Sequence, residues 1–102
     1  MTPPSISPVQ YKTLNRAIDT YGQEPQIRMC LEEMTELSYA LLKWLRKPDD
    51  EKVGNIIDEL ADVRVTVAQM ELMFGQDEVQ ERIDFKVDRL QKRLEKGNDE
   101  IR

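Results

Sequence analysis

Apolar residues recur along this chain at helical spacing, in stretches punctuated by proline and glycine, and no alternating β-branched run marks a strand. After a Pro-rich lead over residues 1–7, Ser7 can cap and Pro8 can enter the first turn of a helix running to about Tyr21, which Gly22 ends. Pro25 opens a second helix carrying Ile27, Cys30, Leu31, Met34, Leu37, Leu41, Leu42 and Leu45, and Pro48 stops it. The acids Asp49, Asp50 and Glu51 suit the first turn of a third helix, which ends at Gly75. A fourth runs from near Asp77 to Gly97 on the stripe Val79, Ile83, Val87, Leu90 and Leu94. The pattern predicts an all-α protein, a four-helix bundle forming one domain over 1–102.

The third helix is apolar on more than one side. Ile56, Ile57, Leu60, Val63, Val65, Val67, Met70, Leu72, Met73 and Phe74 exceed a single stripe, and three companion helices in so short a chain can hardly cover them. The expectation is a bundle completed by subunit association, a homodimer or homotetramer; the alternative is the central helix of a monomeric bundle. Size points the same way, because a domain of about 100 residues buries only about 60 to 70% of the surface its unfolded chain exposes.

Composition narrows the chemistry. The 102 residues hold 15 Lys plus Arg against 20 Asp plus Glu, a net charge of −5, which argues against a partner that is nucleic acid or an anionic membrane. There is no histidine. That removes Ser-His-Asp and Cys-His nucleophile systems and His-containing metal sites. The single cysteine, Cys30, lies among apolar residues and reads as a buried small side chain in a reducing, cytoplasmic compartment. The opening residues lack the basic and apolar segments of a signal peptide.

Two acidic pairs stand out. Glu33 and Glu36 lie three apart in "CLEEMTELSYALL", and Glu59 and Asp62 repeat the spacing in "IIDELADVRVTV". An i, i+3 pair lies about 60° apart on a helix, so each pair points one way. The short turn "RKPDDE" makes the second and third helices antiparallel neighbours. At 1.5 Å per residue both pairs then sit at a similar height. Two unit charges about 4 Å apart repel by about 4 kcal/mol at an effective dielectric near 20, so four converging carboxylates call for a cation. An all-oxygen site suits Mg²⁺, or Mn²⁺, and Mg²⁺ shares its positions readily with phosphate oxygens. Against this stands the frequency of such pairs in a chain that is 34% charged.

Around the acids, helical projection from Glu36 brings Lys43, Trp44 and Lys47 to the same side, where lysines could meet a polyphosphate and an indole could stack on a base. Asn55, Thr66 and Gln69 extend the Glu59 and Asp62 stripe. On the fourth helix Arg82, Lys86, Arg89, Arg93 and Lys96 form one basic stripe beside the apolar one, with Glu81, Asp84, Asp88 and Glu95 opposite. Such a stripe can supply phosphate ligands or merely edge an apolar face.

Glu-x-x-Glu, 22 intervening residues, then Glu-x-x-Asp from Glu59 within "DELADV", together with "LLKWLRK", "AQMELMF" and "FKVDRLQKRLEK", resembles the MazG-like all-α nucleoside triphosphate pyrophosphohydrolases over most of residues 26–96. The resemblance implies Mg²⁺-dependent hydrolysis of a nucleoside triphosphate to the monophosphate and pyrophosphate, with Glu33, Glu36, Glu59 and Asp62 as metal ligands. It implies oligomers that share four-helix bundles. Glu32 is similar to a family glutamate that orients or deprotonates the attacking water, and Lys86, Arg89 and Arg93 are similar to residues that hold the triphosphate. Asn55 departs from the pattern, since some members carry lysine one turn before Glu-x-x-Asp. Two other readings stand beside this one: a phosphoribosyl-ATP pyrophosphohydrolase-like enzyme, whose relatives place a histidine soon after the second motif, and a non-catalytic helical scaffold whose acids and basic stripe pair between helices.

Overall fold

The computed structural model describes residues 6–97, which leaves residues 1–5 of the Pro-rich lead outside the description. Among the described residues every regular element is an α-helix: α1 (Pro8–Tyr21), α2 (Gln23–Arg46), α3 (Asp50–Phe74) and α4 (Gln76–Glu95).

Local chemistry accounts for each boundary. Ser7 and Gln10 form a reciprocal cap, the Ser7 N–H donating to Gln10 Oε1 at 2.8 Å and the Gln10 N–H to Ser7 Oγ at 3.1 Å. Two backbone donors that the first helical turn cannot use internally are thereby satisfied. Gly22 ends α1 at φ +95°, a region L side chains rarely adopt. α2 starts at Gln23, two residues before Pro25, because a proline within the first turn gives up an N–H that has no intrahelical acceptor anyway. Asp49 is the cap of α3 rather than part of its first turn: its side chain accepts from the Lys52 N–H.

The α2–α3 turn is clasped from inside. Lys52 Nζ donates to the Lys47 carbonyl at 2.9 Å and to Asp49 Oδ2 at 2.7 Å. One side chain of α3 thus closes on a terminal carbonyl of α2.

α2 and α3 pack along their length, α1 lies against both, and α4 meets only α3. Gly75, at φ +136°, turns the chain so that α4 leaves the other three. Its whole apolar stripe beyond Val79 is exposed, Leu94 to 63%. The radius of gyration is 16.5 Å, against about 13 Å for a compact chain of this length.

What is buried within one chain is small or polar: Gln26, Cys30 and Ala40 on α2, and Thr66, Ala68 and Gln69 on α3. Large apolar groups lie outward. Leu31, Met34 and Leu41 on α2 and Val53, Ile57 and Leu60 on α3 are all at least 40% exposed. No described helix is long and apolar enough to cross a membrane.

Candidate metal centre

Glu33 occupies the inward stripe of α2, one turn from buried Cys30, while Glu59 and Asp62 continue the α3 stripe that holds Thr66 and Gln69. Antiparallel packing of those two stripes brings the acids together: Glu33, Glu59 and Asp62 each present a carboxylate oxygen, all within 4.8 Å of one another. Glu33 and Glu59 are half-buried and Asp62 is exposed.

The electrostatics are unfavourable as they stand. Burial first, and then the charges of Asp62, Glu36 and Glu59, push the Glu33 carboxyl above its ordinary value of 4.5. For Glu59 burial again leads, followed by Glu36, Asp62 and Asp58. Both groups hold one buried oxygen that accepts no hydrogen bond, Glu33 Oε1 and Glu59 Oε1. A buried carboxylate oxygen without a donor is costly, so native folds rarely tolerate it unless an ion or water completes the site. Three carboxylates at this spacing fit a hard divalent cation, which takes oxygen ligands.

No protein-family model, no curated protein and no solved structure matches the chain. What the centre can do is set by its own side chains.

Glu36 and Glu32 stand beside the three clustered acids rather than among them. Glu36 is exposed and acts electrostatically on both Glu33 and Glu59, and Glu32 adds a smaller effect on Glu33. Thr66, expected along the same stripe, turns its hydroxyl back onto the carbonyls of Asp62 and Val63, at 3.2 and 3.0 Å. It is structural at this position.

Of the residues assigned to substrate, Lys43 is half-buried and lines a groove of 610 Å³ with Glu51, Lys52, Gly54, Asn55 and Asp58. This groove lies toward the turn, one helical turn from Glu59. Lys47 is exposed at the end of α2, its carbonyl held by Lys52. Trp44 is half-buried, whereas the nearby aromatic Tyr39 is 58% exposed with Lys43 Nζ 4.8 Å from its ring centre. Lys86, Arg89 and Arg93 lie on α4, which meets α3 but not α2, and none of them figures among the charges acting on Glu33 or Glu59. Arg89 and Arg93 instead line a surface cleft with Phe85, Asp88, Lys92 and Lys96.

Tyr39 shares a helix stripe with three residues named in the sequence. Glu32, Glu36, Tyr39 and Lys43 follow spacings of four, three and four, one stripe of a helix.

Proposed function

We propose that this protein is a Mg²⁺-dependent hydrolase of nucleoside triphosphates, with Mn²⁺ as an alternative ion, releasing the nucleoside monophosphate and pyrophosphate and serving to clear or adjust nucleotide pools. The observation that carries the reading is the pair of buried, unpartnered oxygens on Glu33 and Glu59 beside Asp62. Carboxylates held in mutual repulsion at a half-buried site have their natural counterpart in a cation that brings a polyanion with it.

Glu33, Glu59 and Asp62 would hold the ion, and Glu36 would join them by a change of side-chain rotamer. A divalent cation supplies neutralisation of the phosphate charge that the acids alone would repel. Glu32, exposed one residue before Glu33, would accept the proton of the water that attacks phosphorus. Attack at the α-phosphorus breaks the bond to the αβ-bridging oxygen, which leaves with pyrophosphate. Lys43 offers its ammonium to phosphate from the turn side of the groove.

The proposal includes self-association. Exposed Met34 and Leu60 each follow a clustered acid by one residue, about 100° round their helices, so the outward apolar side of the α2–α3 pair lies away from the acidic side. A second copy can cover that apolar side and leave the acids accessible. Lys86, Arg89 and Arg93 would then serve as triphosphate ligands for the acids of another subunit. The scaffold alternative draws on ion pairs between helices, and among the described residues every ion pair lies within one helix or its cap.

The deciding experiment incubates the protein with ribo- and deoxyribonucleoside triphosphates and Mg²⁺, and quantifies monophosphate, pyrophosphate and orthophosphate separately. Monophosphate and pyrophosphate in equal amounts, lost in Glu36→Gln and in Asp62→Asn, is the expected result. Activity persisting in both variants would refute the assignment of the acids, and primary release of orthophosphate would move the attack to the terminal phosphate.

A further inference from the structure

We propose that Tyr39 is the platform on which the nucleobase stacks, so that the α2 stripe of Glu32, Glu36, Tyr39 and Lys43 orders a single nucleotide along the helix. The inference rests on the phosphohydrolase reading and adds to it the residue that recognises the nucleoside half of the substrate.

Three observations meet at Tyr39. First, the residue is 58% exposed and contributes little to packing. Second, it lies three residues after Glu36 and four before Lys43, on the stripe of α2 that carries Glu32 and Glu36. At 1.5 Å per residue, Glu36 and Lys43 are separated by about 10 Å along the axis. Phosphates drawn to the acids therefore leave the nucleoside lying over Tyr39, in the direction of the groove. Third, the ring already attracts a cation: Lys43 Nζ sits 4.8 Å from its centre. An exposed ammonium–ring contact is weak and easily exchanged. A base can take that ring face while the ammonium turns to the phosphates.

The groove that Lys43 shares suits the base edge. Asn55 offers both a donor and an acceptor and Asp58 an acceptor, and at Gly54 nothing lies within 4 Å of where a Cβ would stand. Trp44 is the less suitable aromatic because it is half-buried on the inward stripe of α2, eleven residues and about 20° round the helix from Glu33.

Stacking tolerates every base, so Tyr39 separates nucleotides from bare polyphosphates more than one base from another. The test is isothermal titration calorimetry in Mg²⁺ with an α,β-methylene nucleoside triphosphate and with inorganic tripolyphosphate, on the wild type, Tyr39→Ala and Tyr39→Phe. The wild type should bind the nucleotide about tenfold more tightly than tripolyphosphate, a typical worth of one base–aromatic stack. Tyr39→Ala should abolish that preference without changing tripolyphosphate affinity, and Tyr39→Phe should keep it. Where the wild type turns substrate over, Tyr39→Ala should raise KM with kcat unchanged. Equal weakening of both ligands, or a preference that survives Tyr39→Ala, would overturn the stacking role while leaving the acidic centre intact. A wild type that binds neither ligand would instead overturn the phosphohydrolase reading, and this inference with it.

Discussion

Glu33 of α2 and Glu59 of α3 meet across the helix pair with one buried oxygen apiece that accepts no hydrogen bond. Each is pushed toward its protonated form by burial and by the acids around it. The arrangement weakens the metal-free fold and prepares a site for positive charge.

Stability should therefore respond to divalent ions. Millimolar Mg²⁺ or Mn²⁺ should raise the Tm of the wild type in a thermal melt, by mass action on the folded state. Glu59→Gln should raise the Tm of the chelator-treated protein and abolish most of the ion-dependent rise. A lower Tm for Glu59→Gln in chelator, with an undiminished Mg²⁺ response, would contradict the role given to this pair.

The pH dependence has a definite sign. A carboxyl whose folded pKa lies above its unfolded value binds more protons in the native state, so its contribution to stability falls as pH rises from about the ordinary value of 4.5 through the raised one. In chelator, urea midpoints should decline over that window, and Mg²⁺ should flatten or reverse the slope. Asp49 behaves oppositely: the hydrogen bond from Lys52 holds its carboxyl below the ordinary 3.8, so its stabilisation is present above that value and lost as pH falls through the lowered one. Its effect lies below the glutamate window, and the two are separable in one titration.

Gly54, which lines the groove beside Lys43, gives a prediction about stability. It sits in the interior of α3 with no atom within 4 Å of an added Cβ and no unusual φ. Gly54→Ala should stabilise the fold by about 0.4–1 kcal/mol, through helix propensity and a less flexible unfolded chain. Denaturant melts would read this as a higher midpoint with an unchanged slope.

Association can be weighed directly. Sedimentation equilibrium of the wild type should return a multiple of 12.0 kDa, and Ile57→Lys combined with Leu60→Lys should lower it, because each side chain gives up about 1.5–3 kcal/mol of burial available at an interface. A wild type that sediments as a monomer at high micromolar concentration would remove the subunit-sharing part of the proposal.

Helix limits were legible because breakers and caps act locally: Ser7, Gly22, Pro48 and Gly75 mark them in the sequence as in the structure. The meeting of Glu33 with Glu59 and Asp62 was also readable, since two i, i+3 pairs equidistant from a short turn have little choice. The course of α4 was not. An amphipathic stripe says that a helix has a face to bury but not against what, and the angle at Gly75 depends on packing that no single segment encodes. Trp44 and Lys43 illustrate the finer limit: they are neighbours in sequence, yet one step of about 100° separates a half-buried indole from an amine bordering the groove.

The Lys52 clasp on Lys47 and Asp49 has a consequence well away from the turn. It acts as a ruler, setting how far α3 has advanced beside α2 by the time Glu59 and Asp62 come level with Glu33. One residue inserted between Lys47 and Asp49 would lengthen a non-helical connection by up to about 3.5 Å and part Lys52 from the Lys47 carbonyl, leaving two intact helices free to take another register beside one another. Lengthening this turn is therefore expected to disturb the candidate acidic centre further along both helices without touching any of its residues.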